Sequence, residues 1–229
     1  MIGIYFSGTG NTKFCVDKFL KEYGCSKSSF SIEDSEALER IKNDDEIVMG
    51  YPVQYSNIPK ILRDYIVNNR YVWKGKNIFI IATMGLFSGD GAGILARLLK
   101  NYGAVIVGGL HLKMPDSICD ERALKRSFEH NKRIVVKATE KICKCVDNIK
   151  NGKPPQEGLG AVNHLAGLFG QRLYFWGKTQ KYTDRLKINS LKCIGCGLCE
   201  RLCPISNISV KNVISVSCDK CTMCYLCIS

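Results

Sequence analysis

Short apolar runs alternate with longer amphipathic stretches through the first half of the chain. Ile2–Phe6, Ser29–Ile32, Glu46–Gly50, Ile78–Thr83 and Ala104–Leu110 are too short for buried helices and, taken together, rich in Ile, Val and Phe, so they predict strands. Cys15, Val16, Phe19, Leu20 and Tyr23 recur at helical spacing and mark the inner stripe of a helix after the first strand. Further helices are expected around Ser35–Lys42 and between Gly91 and Tyr102. Strands alternating with helices make an α/β domain with a parallel sheet, because each crossover helix returns the chain to the same end of the sheet.

From Asp120 to about Asn151 the pattern turns helical and basic, and Gly152 with Pro154-Pro155 stops it. Another helix is expected on the stripe Val162, Leu165, Ala166, Phe169, Leu173 and Trp176. The formal charge is +12, and Asp120–Lys192 alone holds 16 Lys and Arg against 7 Asp and Glu. A solvated face is the plainest reading of that excess, and an acidic redox partner, nucleic acid or anionic lipid are the functional ones. No apolar run reaches the ~18 residues of a membrane span. The opening Met1–Phe6 lacks the charged leader of a signal peptide, so a cytoplasmic home is expected.

Eight of the 13 cysteines fall in the last 37 residues. Cys193, Cys196, Cys199 and Cys203, the last followed by Pro204, keep a spacing in which three thiolates wrap one side of a cubane cluster. The fourth then reaches for a second cluster. A second run, Cys218, Cys221, Cys224 and Cys227, supplies four more soft ligands. Zinc commonly uses separated pairs and has no need of Cys199, so iron–sulfur is the expected chemistry. The scattered Cys15, Cys25, Cys119, Cys143 and Cys145 read as small buried hydrophobes.

From about Asn189 onward the chain resembles a bacterial-type two-cluster ferredoxin, which implies two 4Fe-4S clusters. In the second run the family spacing aligns Cys221, Cys224 and Cys227 with its first three ligands and puts its fourth beyond Ser229. The favoured expectation is that the sequence continues; the other is that Cys218 substitutes. With the end as given, the resemblance puts Cys221, Cys224, Cys227 and Cys203 on one cluster, and leaves Cys193, Cys196 and Cys199 on the other.

Ser7-Gly8-Thr9-Gly10-Asn11-Thr12 joins the first strand to the first helix. Amides at a helix N-terminus, glycines that allow close approach and three hydroxyls make an anion cradle. The loop lacks the Gly-Lys-Ser/Thr of nucleoside triphosphatases. It resembles the FMN phosphate loop of flavodoxins, Ser/Thr-x-Thr-Gly-x-Thr, at Ser7, Thr9, Gly10 and Thr12. Five strands alternating with helices then imply a flavodoxin-like, doubly wound five-stranded parallel sheet in the order 2-1-3-4-5, with ligands at the carboxyl ends of the strands. Two segments there resemble the loops that flank the isoalloxazine ring. One comprises Tyr51, Pro52, Val53, Gln54 and Tyr55, and the other runs through Thr83, Met84, Gly85 and Phe87 to Gly89. Tyr51, Tyr55 and Phe87 are the stacking candidates. Gly89–Gly93 lacks the spacing of a dinucleotide fingerprint.

The combination resembles the fused flavodoxin and two-cluster ferredoxin proteins of anaerobic bacteria and archaea. Residues 1–151 are then expected to form an FMN domain, 152–188 a helical linker, and 189–229 a small ferredoxin-like domain. A flavin exchanges one or two electrons and a cluster one, so such a protein converts between two-electron and one-electron redox partners. Two other classes compete: a flavoenzyme that reduces a small molecule with electrons from its own clusters, and a zinc-binding interaction module. His111, His130 and His164 have no carboxylate partner nearby in sequence, so no catalytic residue is assigned, and no nucleic acid is expected as a partner.

Overall fold

The computed structural model describes residues 1–26, 28–86, 89–116, 125–160, 186–211, 214–218 and 220–228. The helix expected on Val162–Trp176 lies outside the described residues.

Five strands form one parallel sheet: β1 (Ile2–Tyr5), β2 (Ser29–Ser31), β3 (Glu46–Pro52), β4 (Asn77–Met84) and β5 (Val105–Lys113). Their order is β2-β1-β3-β4-β5, the doubly wound order expected from the sequence. All of β1 and most of β3 and β4 are buried, which explains why these strands read as continuous apolar runs rather than alternating ones.

Side chains alternate between two cores. On one face Tyr5, Val48, Phe79 and Ile81 pack against α1 (Asn11–Tyr23) and α5 (Phe128–Lys150), and the Phe19 and Phe79 rings stack at 5.2 Å. Ala138, Ile142, Cys145 and Val146 carry the inner stripe of α5, and its basic residues stay exposed beside and opposite that stripe. On the other face Ile4, Met49, Tyr51 and Ile80 meet α2 (Ala37–Asn43), α3 (Lys60–Asn68) and α4 (Gly91–Lys100). The sequence reading did not single out α3. Only Leu62 and Ile66 are buried in it, and the turn that follows it helps close its end: the Trp73 indole N–H donates to the Ile66 carbonyl at 3.1 Å.

Beyond α5, residues 154–159 run along β5. The Gly109 amide donates to the Pro155 carbonyl at 2.8 Å and the Glu157 amide to the Gly109 carbonyl at 2.9 Å. A Cβ at Gly109 would lie 2.7 Å from the Glu157 carbonyl oxygen, so only glycine allows this approach. The Glu157 carboxylate accepts from the His111 amide at 2.8 Å and from Lys141 at 2.7 Å. His111 Nε2 accepts from the Ala92 amide at 3.0 Å, which pins the start of α4 and requires a neutral ring. At the other end of the chain, β6 (Ile208–Lys211) and β7 (Ile214–Ser217) form an antiparallel hairpin that the cysteine spacing did not announce. Among the described residues no helix is long and apolar enough to cross a membrane.

Two outcomes are expected. Gly50 lies beneath α1, where an added Cβ would strike Val16 and come 2.9 Å from the Thr12 methyl. Gly50→Ala should therefore lower stability by about 1–3 kcal/mol in urea unfolding, as overpacked cores do. Burial holds the His111 pKa below its ordinary 6.5. The unfolded chain therefore takes the proton first, and this contribution is full above pH 6.5 and lost as pH falls through the folded value. Unfolding midpoints should drop between about pH 7 and pH 5, and drop less in His111→Gln.

Candidate functional site

A cleft opens at the carboxyl ends of β1, β3 and β4. The α1 helix begins there at Asn11, after Gly10 in the left-handed region at φ 89. No side-chain hydrogen bond caps it and its first turn holds no acid, so the amide end and its dipole favour an anion. Of the residues expected to bind a flavin, Ser7, Gly8, Thr9, Asn11, Thr12, Pro52, Val53, Gln54, Thr83 and Met84 line this cleft, whose volume is about 120 Å³. Three loops distant in sequence thus meet. The Thr12 and Thr83 hydroxyls are 2.8 Å apart, the Val53 amide donates to the Thr83 carbonyl at 2.8 Å, and Asn11 Nδ2 donates to the Pro115 carbonyl at 2.8 Å.

Gln54 to Asn57 close a tight turn through paired amide bonds of 3.0 and 2.8 Å. Its central residues, Tyr55 and Ser56, have φ of 47 and 56, a conformation that non-glycine residues adopt at a cost. Gln54 Oε1 is buried and finds no hydrogen-bond partner among the described residues.

Tyr51 corrects an expectation. It is wholly buried in the core beneath α4 and its hydroxyl donates to the Gly91 carbonyl, so its ring has no face open to a ligand. The strand alternation that puts Met49 in that core puts Tyr51 there too. Gly10, Tyr55 and Gly89 are not among the residues that wall the cleft, Gly85 lines a neighbouring cavity, and Phe87 lies outside the described residues. Met114, Pro115 and Asp116 do line the cleft and were not singled out, because nothing in their residue types or spacing marks a ligand site.

The cysteines divide into two groups. Cys203, Cys221, Cys224 and Cys227 line one small cavity of about 20 Å³ with Ile205, Ile208 and Thr222. Burial, and secondarily the charges of Cys227, Cys203 and Cys221, push the Cys224 thiol up to about 11. Burial also raises Cys227, with Cys221 and Cys203 adding to it. Cys224 and Cys227 thus resist ionisation unless a cationic core draws their thiolates in, which is what an iron–sulfur core would supply. The second group gathers on Ser215, whose hydroxyl lies 3.2 Å from Cys199 Sγ and whose amide donates to Cys193 Sγ at 3.4 Å. That amide bond lowers the Cys193 pKa, as an N–H donor to a thiolate should. Cys196 and Cys218 are exposed.

Asn207, buried and unpredicted, ties the two runs together. Its amide donates to Cys203 Sγ at 3.1 Å, its carbonyl accepts from the Cys218 amide at 2.8 Å, and its side chain accepts from the Lys220 amide. Among the described residues no three Cys, His, Asp or Glu side chains converge closely enough to hold a single metal ion. A cubane asks for a different arrangement, because its irons spread the thiolates over its corners.

The second run also enters the cleft. Cys224 and Tyr225 form part of its wall, Gln54 Nε2 donates to the Met223 carbonyl at 2.9 Å, and Leu226 packs on the core beneath. Gly8 lies so close that any Cβ there would overlap the Cys224 carbonyl. The donor set fits a flavin nucleotide: an uncapped amide end with hydroxyls suits a phosphate, and a buried lone acceptor suits a ring N–H.

Residues 2–107 match the family model described as a flavodoxin domain, and residues 186–209 match the model of a 4Fe-4S binding domain. No curated protein matches the chain. Among solved structures, flavodoxin 2 of Bacillus cereus has a TM-score of 0.48 at 16% identity over 66% of this chain and 97% of its own. A Fusobacterium nucleatum flavodoxin bound to flavin mononucleotide has a TM-score of 0.46 at 16% identity over 66% and 98%. The flavodoxin of Megasphaera elsdenii, solved in its two-electron reduced form, has a TM-score of 0.45 at 21% identity over 63% and 99%. An amino-terminal region matching a flavodoxin domain and a carboxyl-terminal region matching a 4Fe-4S binding domain thus share one chain, the make-up of an electron-transfer flavin and iron–sulfur protein.

Proposed function

We propose that this chain relays electrons between an FMN in the cleft and two 4Fe-4S clusters, converting between two-electron and one-electron redox partners. The observation that carries this reading is the seat of the second cysteine run in the cleft, with the Cys224 carbonyl against Gly8 and the Met223 carbonyl bonded to Gln54. A cluster on Cys203, Cys221, Cys224 and Cys227 would lie next to the flavin, with Cys224 buried between them. A cluster on the other group would face outward, since Cys196 is exposed and Ile194 beside it is 82% exposed. The order flavin, inner cluster, outer cluster, partner follows. When bound, the flavin supplies the two-electron chemistry.

The chain's own residues position and tune. The α1 amide end with Ser7 and Thr9 would hold the phosphate, and Gln54 Oε1 would accept from the ring. The amide bonds to Cys193 and Cys203 would shift the clusters' potentials by stabilising charge on sulfur. The division at 151/152 and 188/189 belongs to the same proposal, as does an acidic redox partner for the exposed basic residues of α5.

Protein purified without oxygen should carry about eight irons, about eight labile sulfides and one FMN per chain. Zinc without flavin would sink the reading. Cys203→Ala and Cys224→Ala should each remove about four irons and together remove no more, whereas Cys193→Ala with Cys203→Ala should remove both clusters. Gly8→Ala should leave the iron content intact and slow flavin-to-cluster transfer in stopped-flow, because the Cys224 carbonyl must retreat.

A further inference from the structure

A larger cavity of about 570 Å³ adjoins the cleft, within the ~300–1,000 Å³ of small-molecule sites. It lies between the end of β5, the loop after β4 and the first turns of α5. Met84, Met114 and Asp116 border both spaces, so whatever fills the cavity sits beside the cleft. Leu112, Ile134 and Ala138 supply an apolar floor. Lys113, Arg126 and Lys137 stand at its rim from three different segments, and among the described residues no carboxylate lies within ion-pair distance of them. Lys141, the fourth cation of the wall, is taken by Glu157 at 2.7 Å. An apolar floor with unpaired cations at its rim is complementary to an organic anion and unsuited to a neutral or cationic ligand.

We infer that this cavity binds a small organic anion, with an aromatic or apolar body on Leu112 and Ile134 and a carboxylate or phosphate toward Lys113, Arg126 and Lys137. The α5 positions 134, 137, 138 and 141 share one face of the helix, so its basic sequence serves the cavity as well as the solvent. Lying next to the flavin site rests on the function proposed above; the binding itself does not.

Calorimetric titration of the loaded full chain with benzoate, phenyl phosphate, inorganic phosphate and benzamide tests this. Benzoate or phenyl phosphate should bind, and the tighter of the two names the head group. Benzamide and inorganic phosphate should bind about tenfold or more weakly, since each lacks one half of the match. Lys137→Glu should weaken the organic anion about tenfold or more while circular dichroism and FMN content stay unchanged. Equal binding of benzamide, an unaltered constant in Lys137→Glu, or no binding of either organic anion overturns the inference. So does loss of benzoate binding on FMN loading, which would make the cavity the seat of the flavin ring. Lys137-dependent binding to protein that carries neither flavin nor iron upholds the cavity and sinks only the electron relay.

Discussion

The centre of the sheet is closed to water on both faces, and that constraint places everything else. Strands β1, β3 and β4 have no solvated side on which to carry polar chemistry. Each therefore carries its polar residues at its carboxyl end, where the apolar run stops and the chain must turn. Ser7–Thr12, Pro52–Gln54 and Thr83–Met84 are those three endings, brought side by side by the strand order β1-β3-β4. The glycines belong to the same constraint: Gly50 lets α1 lie close on the sheet, and Gly109 lets residues 154–159 close the β5 side.

The cysteine loops follow a different rule. Burial, with the neighbouring thiols adding to it, raises the pKa of Cys224 and Cys227, and these side chains gain nothing from packing that an aliphatic residue would not supply better. Their placement makes sense for a cationic core that pulls the thiolates together, with Asn207 holding the two runs in register through their backbone. Among the described residues this part of the chain has only a two-stranded hairpin and single helical turns, a size at which a bound inorganic core would replace most of a hydrophobic one.

Joining the two parts in one chain brings the inner cysteine group to the strand ends and makes the contact intramolecular. The effective concentration of one redox site at the other no longer depends on diffusion. Gly8 leaves room for the Cys224 carbonyl, and a side chain at that position would push it away. The basic residues of α5 sit partly at the rim of the neighbouring cavity, so the charge of this helix is not solely a solubilising coat.

Periodicity and spacing carried much of this outcome. Apolar runs announced the five strands, and their alternation with helices announced the sheet, because burial on both faces leaves a local signature in every strand. Cysteine spacing announced iron–sulfur chemistry, since few other sites ask for three thiolates at two-residue steps. What the chain could not announce locally were the long-range meetings. Tyr51 looked available at a strand end until the pleat turned it inward. Met114–Asp116, Asn207 and the seat of Cys224 on Gly8 likewise carry no periodic mark. Residue type and spacing determined which chemistry is present; only the tertiary structure decided which groups face one another, because side-chain direction and loop approach are set by packing between segments far apart in sequence.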